Sequence, residues 1–374
     1  MMVHNQERSR LLSLPLEVRD DIYTYLVPDT FHVFLRQGEF AFTRCLKVEV
    51  EGFLVEKQYP SGEEYPTILD HVPDQGLRRR RLLSTWGPHF QCEEITQETV
   101  PCQSIQAAAD NVEATMAILL VCRTMFADVC RALSGNVTYH VTDLETLDRL
   151  AHSESISQTS SCSWTTLSVQ VPSISNLGVT LQLPLAPFQA AAEYPEGSGS
   201  PESPEMQSIS TGAGTHSLLT TWTQIWPALA GRMEKLQHLR VWLDHDDKRP
   251  WALVHERAIV SRITTAICPT NCPSLKVVTI NLPKLFPGHE SPSRHFMKGS
   301  ERPPPFVRLN RRVRHLYEEI SDGHITVTYE FPALFEMAES LGELLLEHVE
   351  DAERELIAGG VDPMDVTRGW GGGT

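Results

Sequence analysis

The sequence predicts a mixed α/β protein, and two observations carry this prediction. Segments with apolar residues at helical spacing alternate with short segments in which every second residue is apolar. The clearest case is in the second half, where a strand over 239–243, a helix over 254–267 and a strand over 273–282 follow one another. We expect these two strands to be parallel neighbours or near neighbours in one sheet, joined by a right-handed crossover.

Composition restricts the class of protein. The chain has 374 residues, of which 41% are hydrophobic and 21% charged, so it can bury a core without disulfides. Its net charge of −16 argues against nucleic-acid binding, which needs a basic surface. The longest apolar run beside a predicted helix, Ala117–Cys122, is too short to span a membrane. Eight cysteines without a paired framework, and a polar start over Met1–Arg10, predict a cytoplasmic or nuclear protein.

The first element is an amphipathic helix over Pro15–Leu26. Pro15 suits the first helical position, and Ser13 precedes it as a candidate cap. Pro28 ends the helix. One apolar stripe follows the helical period: Val18, Ile22, Tyr25 and Leu26.

The elements up to residue 152 follow from the same patterns. Alternating apolar residues predict a β-rich segment over Phe31–Val55, with one strand over 31–35, a turn at Gln37–Glu39 and a second strand over 46–50. Helical spacing predicts a helix over Glu113–Leu133. A strand over Val137–Val141 and a helix over Leu144–Leu150 follow it.

The next segments alternate between loops and strands. Ser153–Ser163 is rich in serine and predicts a surface loop, and two strands follow over 167–171 and 179–183. The segment 184–217 is rich in Pro, Gly, Ser and Glu, so we expect a disordered linker there. A helix is predicted over 218–235, and its Trp222 and Trp226 are expected in the core.

The strand–helix–strand unit resembles an irregular leucine-rich-repeat pattern. The phrases Leu236–Val241 and Cys272–Val277 are similar and lie 36 residues apart, which leaves room for a full helix. Three elements are predicted after it: a basic helix over Val307–Ile320, a strand over His324–Tyr329 and a helix over Pro332–Ala358.

These elements predict two regions. Residues 1–152 form a helical region with a β-rich insertion, and residues 164–366 form an α/β region interrupted by the linker at 184–217. Residues 367–374 form a flexible tail.

The sequence carries no recognisable catalytic signature, so we expect a non-enzymatic protein without a cofactor or a metal. Asp244–Asp247 lacks the spaced ligands of a calcium loop and is expected to be a solvated acidic loop. Cys268 and Cys272 could be half of a zinc site, but no second pair at metal spacing accompanies them, and unpaired thiols are the preferred interpretation.

Three segments carry a family resemblance. Leu14-Pro15-Leu16-Glu17-Val18-Arg19 resembles the Leu-Pro-x-Glu-x-Arg helix of a group of fungal F-box-like proteins. The later segment Leu119–Asp128, with Cys122-Arg123 inside it, is similar to their second helix, and Asn136–His140 to the strand that follows. The resemblance covers roughly the first 140 residues and places the β-rich segment as an insertion between the two F-box-like helices.

The resemblance implies an interaction protein that docks a Skp1-type adaptor within a ubiquitin ligase and holds an unknown protein substrate on the α/β region. Partner binding is then expected at Leu14, Pro15, Ile22 and Leu26. The alternative is an orphan scaffold in which this helix belongs to the core. In either case we expect the helix to pack on the Glu113–Leu133 helix, with Ile22 and Leu26 facing Leu119, Phe126 or Cys130 and with Leu14 and Pro15 nearer the surface.

Overall fold

A computed structural model of the chain describes residues 9–45, 84–97, 123–135, 137–159, 166–193, 213–297, 302–319, 325–334 and 346–363. Its α-helices are α1 Leu16–Leu26, α2 Phe90–Thr96, α3 Arg123–Gly135, α4 Leu144–His152, α5 Leu185–Glu193, α6 Ala213–Arg232, α7 Glu256–Ala266 and α8 Leu346–Ala358. Its strands are β1 Thr30–Arg36, β2 Glu39–Arg44, β3 Thr138–Val141, β4 Ser155–Thr159, β5 Thr166–Gln170, β6 Asn176–Leu183, β7 His238–His245, β8 Val277–Pro283, β9 Val307–Arg312, β10 His315–Glu319 and β11 Ile325–Tyr329.

Seven strands form one sheet in the order β2-β1-β3-β6-β7-β8-β9. All neighbours are parallel except the edge pair β1 and β2, which is an antiparallel hairpin. The pairs β4–β5 and β10–β11 form separate two-stranded sheets. The α/β fold class is confirmed, and so is the prediction that strands β7 and β8 are parallel neighbours joined by helix α7.

The two faces of the sheet differ in chemistry, because the aligned residues of neighbouring strands point to the same side. Phe31, Tyr139 and Leu177 are aligned across β1, β3 and β6, and these apolar side chains are buried. One residue further along, the aligned set on the other face is His32, His140 and Gly178. One face of the sheet is therefore apolar, and the other, which we call the polar face, carries imidazoles and other polar groups.

Helices cover the apolar face. Helix α6 packs against α4, α5 and α7, and buried side chains of α4, α6 and α7 share one core cluster with the strands. Trp222 and Trp226 of α6 are buried with their rings 5.1 Å apart, which confirms their predicted place in the core. Among the described residues, no helix is long and apolar enough to cross a membrane.

The predicted basic helix over Val307–Ile320 is wrong, because these residues form β9 and β10. Val307 and Leu309 are two residues apart on β9, pair with β8 and extend the apolar side of the sheet. A helix could not form these backbone hydrogen bonds with β8. Arg311 lies on the same side. Its guanidinium is neutralised by Glu256, which is fully buried, and this pair lets an arginine occupy a core-facing position.

Three other segments differ from expectation. The predicted linker 184–217 begins with α5, because Leu185 and Phe188 are buried, and α6 starts inside its end; residues 194–212 lie outside the described part. The serine-rich loop contains β4, which pairs with β5. The helix predicted from Pro332 is described only as α8, since 332–334 is not helical and 335–345 is not described. The strand predicted over 46–50 also lies outside the described residues.

Candidate functional site

Helix α1 begins just after Pro15, whose φ of −52° is already helical. Its N-cap position makes no side-chain hydrogen bond. The Ser13 hydroxyl instead donates to the Arg10 carbonyl, so the expected serine cap is absent. The helix ends as predicted, with the Val27 N–H donating to the Tyr23 carbonyl.

The inner face of α1 packs on α3, which confirms the expected pairing over the described residues 123–135. The contact is polar at its centre. Asp128, 2% exposed, accepts from Arg19 and lies 3.5 Å from the Tyr23 hydroxyl; Arg131 donates to it at 3.0 Å. Burial raises the pKa of Tyr23. The side that faces α3 is therefore the Arg19 and Tyr23 side.

The structure describes only part of the predicted packing of Ile22 and Leu26 against α3. Ile22 is half-buried at the margin between the two faces. Of the expected contacts, Leu119 and the side chains of Leu26, Phe126 and Cys130 lie outside what the structure describes.

The opposite side of α1 is apolar and open to water. We call it the outer face, and define it as Leu14, Pro15, Val18 and Tyr25, with the half-buried Ile22 at its edge. Tyr25 is 90% exposed, Val18 42% and Leu14 36%, and Pro15 is exposed as well. Three of the five large apolar side chains exposed in the described part of the chain therefore lie on this one helix or at its start.

A second group of functional side chains lies on the polar face at the β1–β2 end of the sheet. His32 lies on β1. Cys45 directly follows β2 and donates its N–H to the Thr30 carbonyl at 2.9 Å, so it stands opposite Thr30. Because residues two apart on a strand share a face, His32 and Cys45 are diagonal neighbours on the same side of the hairpin.

The partners of this pair come from a short segment that crosses the polar face. His89 ends a 3₁₀ turn, Gly87–His89, and Cys92 lies three residues on in α2, so one helical side presents both. The Glu93 carboxylate secures this turn by accepting from Ser84 and, at 2.6 Å, from Thr85.

Aromatic contacts hold the segment on the sheet. The Trp86 ring lies 5.0 Å from His32 and 5.7 Å from Phe34. The His89 ring lies 4.2 Å from His140 of β3, whose Nε2 is 2.8 Å from the Thr180 hydroxyl. Gly178 makes room for His140, since a Cβ at residue 178 would lie 2.5 Å from the His140 Nδ1.

We call His32, Cys45, His89 and Cys92 the four-residue cluster. Their candidate donor atoms all lie within 4.8 Å of one another, and His89 Nδ1 is 3.5 Å from the Cys45 sulfur. The neighbouring Cys45 thiol lowers the pKa of Cys92 to about 3. Burial lowers the pKa of His32, so that imidazole is neutral and can act as a ligand.

His32 is the exceptional member of the cluster. It is fully buried, and neither of its ring nitrogens makes a hydrogen bond of normal geometry, although the Cys92 thiol interacts with the ring; the Nε2 of His89 is also buried without a partner. A buried polar group left in this state costs about 1–3 kcal/mol. The arrangement is therefore unfavourable unless a ligand occupies these nitrogens.

Comparison with known proteins adds a family but not an activity. Residues 4–272 match a family described as a domain of unknown function, DUF7730, and the match covers more than half of the chain. The chain belongs to this family. No curated protein matches the chain, and no solved structure matches it. Because the family has no assigned activity, a functional proposal has to rest on the geometry described above.

The other residues weighed from the sequence are engaged elsewhere. Asp244 pairs with Arg314 and Asp247 with Arg249, so arginines neutralise this acidic loop. Cys268 and Cys272 are free thiols in the turn after α7, and burial raises the pKa of Cys272. Among the described residues, the four-residue cluster is the one group of His, Cys, Asp or Glu that could hold a metal.

Sequence reasoning missed the four-residue cluster, because its ligands are spread over 61 positions on three separate elements. The available signal was the spacing His89-x-x-Cys92, which matches half of a metal site. The other two members, His32 and Cys45, are 13 positions apart and become neighbours only through the pairing of β1 with β2.

Proposed function

We propose that the chain is a non-enzymatic interaction protein that docks a Skp1-type adaptor through the outer face of α1. The observation that carries this proposal is the exposure of Leu14, Val18 and Tyr25 on one side of the helix. Large apolar side chains clustered on one exposed surface are typical of protein-binding sites. The identity of the partner rests on the resemblance of the Leu14–Arg19 segment to the F-box-like helix.

The inner face supports the same proposal. Arg19 and Tyr23 attach α1 to α3 through Asp128, so the helix is held without burying Val18 or Tyr25. In the alternative, an orphan scaffold, the apolar stripe of α1 would lie in the core. Tyr25 at 90% exposure favours the adaptor over that alternative.

Ion pairs neutralise the charged cavity near α8. This cavity, about 480 Å³ in volume, is lined by residues that include Lys284, Glu290, Arg311 and Glu350. Lys284 pairs with Glu350, and Arg311 with Glu256.

The substrate protein is assigned to the polar face of the sheet, away from α1. Arg308 is exposed there and Thr279 is half-buried, at paired positions of β9 and β8. Parallel sheets are usually covered on both faces, so exposed side chains on these strands are available to a partner. We further propose that the protein is located in the cytoplasm or nucleus, where it could bind such an adaptor.

The test is direct binding of the purified chain to a purified Skp1-type adaptor. Tyr25→Ala should weaken binding about 30-fold, because an exposed tyrosine at the centre of an interface can contribute about 2 kcal/mol. Val18→Asp should abolish binding. Leu253→Asp is the matched control, since Leu253 is 36% exposed on a distant surface, and it should bind as the wild type does.

The melting temperature separates docking from folding. Tyr25→Ala and Val18→Asp change exposed side chains, so each should alter the free energy of unfolding by no more than about 0.5 kcal/mol. Arg308→Glu should leave adaptor binding unchanged while reducing recovery of the substrate protein. A wild-type chain that binds no Skp1-type protein would refute the proposal.

A further inference from the structure

We propose that His32, Cys45, His89 and Cys92 bind one Zn²⁺ ion as a structural site on the polar face of the sheet. The proposal is independent of adaptor docking. It rests on three features of the four-residue cluster: the convergence of its donor atoms, the types of its ligands, and the unsatisfied nitrogens of His32.

The donor atoms are close to the spacing that zinc requires. Zinc–sulfur bonds of about 2.3 Å and zinc–nitrogen bonds of about 2.0 Å place the four donors of a tetrahedron roughly 3.3–3.8 Å apart. The donors of the cluster lie within 4.8 Å of one another, and His89 Nδ1 is already 3.5 Å from the Cys45 sulfur. Small side-chain rotations would close the tetrahedron.

The ligand types select the metal. Two thiolates and two imidazoles form the Cys₂His₂ set of structural zinc sites, whereas magnesium and calcium require oxygen ligands. All four positions are supplied by the protein, which is typical of a structural site and leaves no open position for a substrate. His32 and Cys92 are buried, while Cys45 and His89 are half-buried, so a metal can enter from the side of Cys45 and His89.

The buried nitrogens of His32 are the independent observation that points to a ligand. Two other histidines in the described residues have one buried ring nitrogen without a partner, the Nε2 of His89 and the Nε2 of His245. Each of these rings has a partner at its Nδ1, which is the Cys45 sulfur for His89 and the Arg314 guanidinium for His245. Neither nitrogen of His32 makes a hydrogen bond of normal geometry, and its ring is enclosed by Trp86, His89 and His140. A metal bond to one nitrogen would satisfy it.

The bound ion would join two parts of the chain that are far apart in sequence. His32 and Cys45 belong to the β1–β2 hairpin, and His89 and Cys92 to the segment 84–97, and His89 lies 44 positions after Cys45. A metal that closes a long loop restricts the unfolded chain most. Zinc would therefore fasten the segment 84–97 to the polar face.

The experiment uses the full-length chain without an affinity tag, purified without chelators, and measures its zinc content by mass spectrometry. We expect one zinc per chain. Cys45→Ser and Cys92→Ser should each lose most of the zinc, and Cys268→Ser is the matched control that should retain it, because Cys268 is a free thiol outside the cluster.

A second measurement keeps the proposal testable if a cysteine variant does not fold. Replacing zinc by Co²⁺ in the wild-type chain should give the intense visible bands of tetrahedral cobalt and a thiolate charge-transfer band in the near ultraviolet. Removal of the metal should raise amide hydrogen exchange in residues 84–97 and leave β7 unchanged. A wild-type chain without zinc, an octahedral cobalt spectrum, or a Cys45–Cys92 disulfide in place of the metal would overturn the proposal.

Discussion

Asp128 and His32 are two buried polar side chains that differ in whether their polar atoms have partners. Asp128 is 2% exposed and is satisfied by Arg19 and Arg131, so its charge is accepted within the fold. His32 is equally buried, but neither ring nitrogen makes a hydrogen bond of normal geometry. Buried polar groups in folded proteins are nearly always satisfied. The difference between these two residues is the reason for assigning a ligand to His32.

His245 carries a prediction about acid stability. It is 1% exposed, Arg314 donates to its Nδ1 at 3.1 Å, and its ring stacks on Trp251. Burial, with the Arg314 charge as the next cause, lowers the pKa of His245 to about 3. In the unfolded chain a histidine has a pKa of about 6.5 and therefore binds a proton at a pH at which the folded chain keeps His245 neutral. The free energy of unfolding therefore falls as the pH drops below about 6.5.

Between pH 7 and pH 5 this histidine should remove about 2 kcal/mol from the free energy of unfolding. His245→Gln cannot take up this proton, so its urea-unfolding free energy should fall less over the same range. His238→Gln is the control, because His238 is exposed on the same strand. Equal pH dependence in the wild type and His245→Gln would contradict the assignment.

At the level of elements, the β1–β2 hairpin depends on backbone conformation at its turn. Gln37 and Gly38 have φ values of +54° and +80°, the left-handed pair that a two-residue hairpin turn needs. A Cβ at residue 38 would meet only the Arg149 guanidinium, at 3.7 Å, so space is not the constraint there. Gly38→Ala should cost about 1 kcal/mol, through the left-handed conformation alone.

Gly231 provides the opposite case within α6. Its φ is not left-handed and a Cβ there would meet nothing within 4 Å. Gly231→Ala should therefore stabilise the protein by about 0.5–1 kcal/mol, because alanine loses less backbone entropy in a helix. Chemical denaturation of both variants checks the pair. The same sign of change in both would show that the backbone argument is wrong.

The elements that could be predicted are those in which local pattern and tertiary environment agree. Helix α1, strand β3 and the β7–α7–β8 unit have one clear period each, and the fold uses that period. The helix predicted over 307–320 is wrong, because arginines spaced along a segment are also typical of the solvated face of a helix. In the structure Arg311 lies on the core side of β9, and Glu256, which is distant in sequence, supplies its counter-charge.

The candidate sites show the same limit. Periodicity indicates an apolar stripe on α1, but it could not show that the helix would dock through Arg19 and Tyr23 and leave Val18 and Tyr25 exposed. The choice depends on the buried Asp128, 109 residues after Arg19. The four-residue cluster depends in the same way on the register of β1 with β2, which no short spacing in the sequence encodes.

At the scale of the whole molecule, one sheet crosses the predicted boundary between regions 1–152 and 164–366. Strand β3 of the first region pairs with β6 of the second. One hydrophobic cluster extends from Tyr23 to Val307 and includes side chains from both regions. A sheet and a core shared in this way should make the two regions unfold together.

This cooperativity can be tested with one core substitution in each region. Leu147 of α4 and Ile263 of α7 are fully buried in the shared cluster, and truncating either to alanine should cost about 3 kcal/mol. If the regions form one unit, Leu147→Ala and Ile263→Ala should each shift the same single unfolding transition, with far-ultraviolet circular dichroism and tryptophan fluorescence changing together. Independent regions would give two transitions, with Leu147→Ala moving one and Ile263→Ala the other. We expect the single transition, because the apolar faces of β3 and β6 would each be exposed to water if either region unfolded alone.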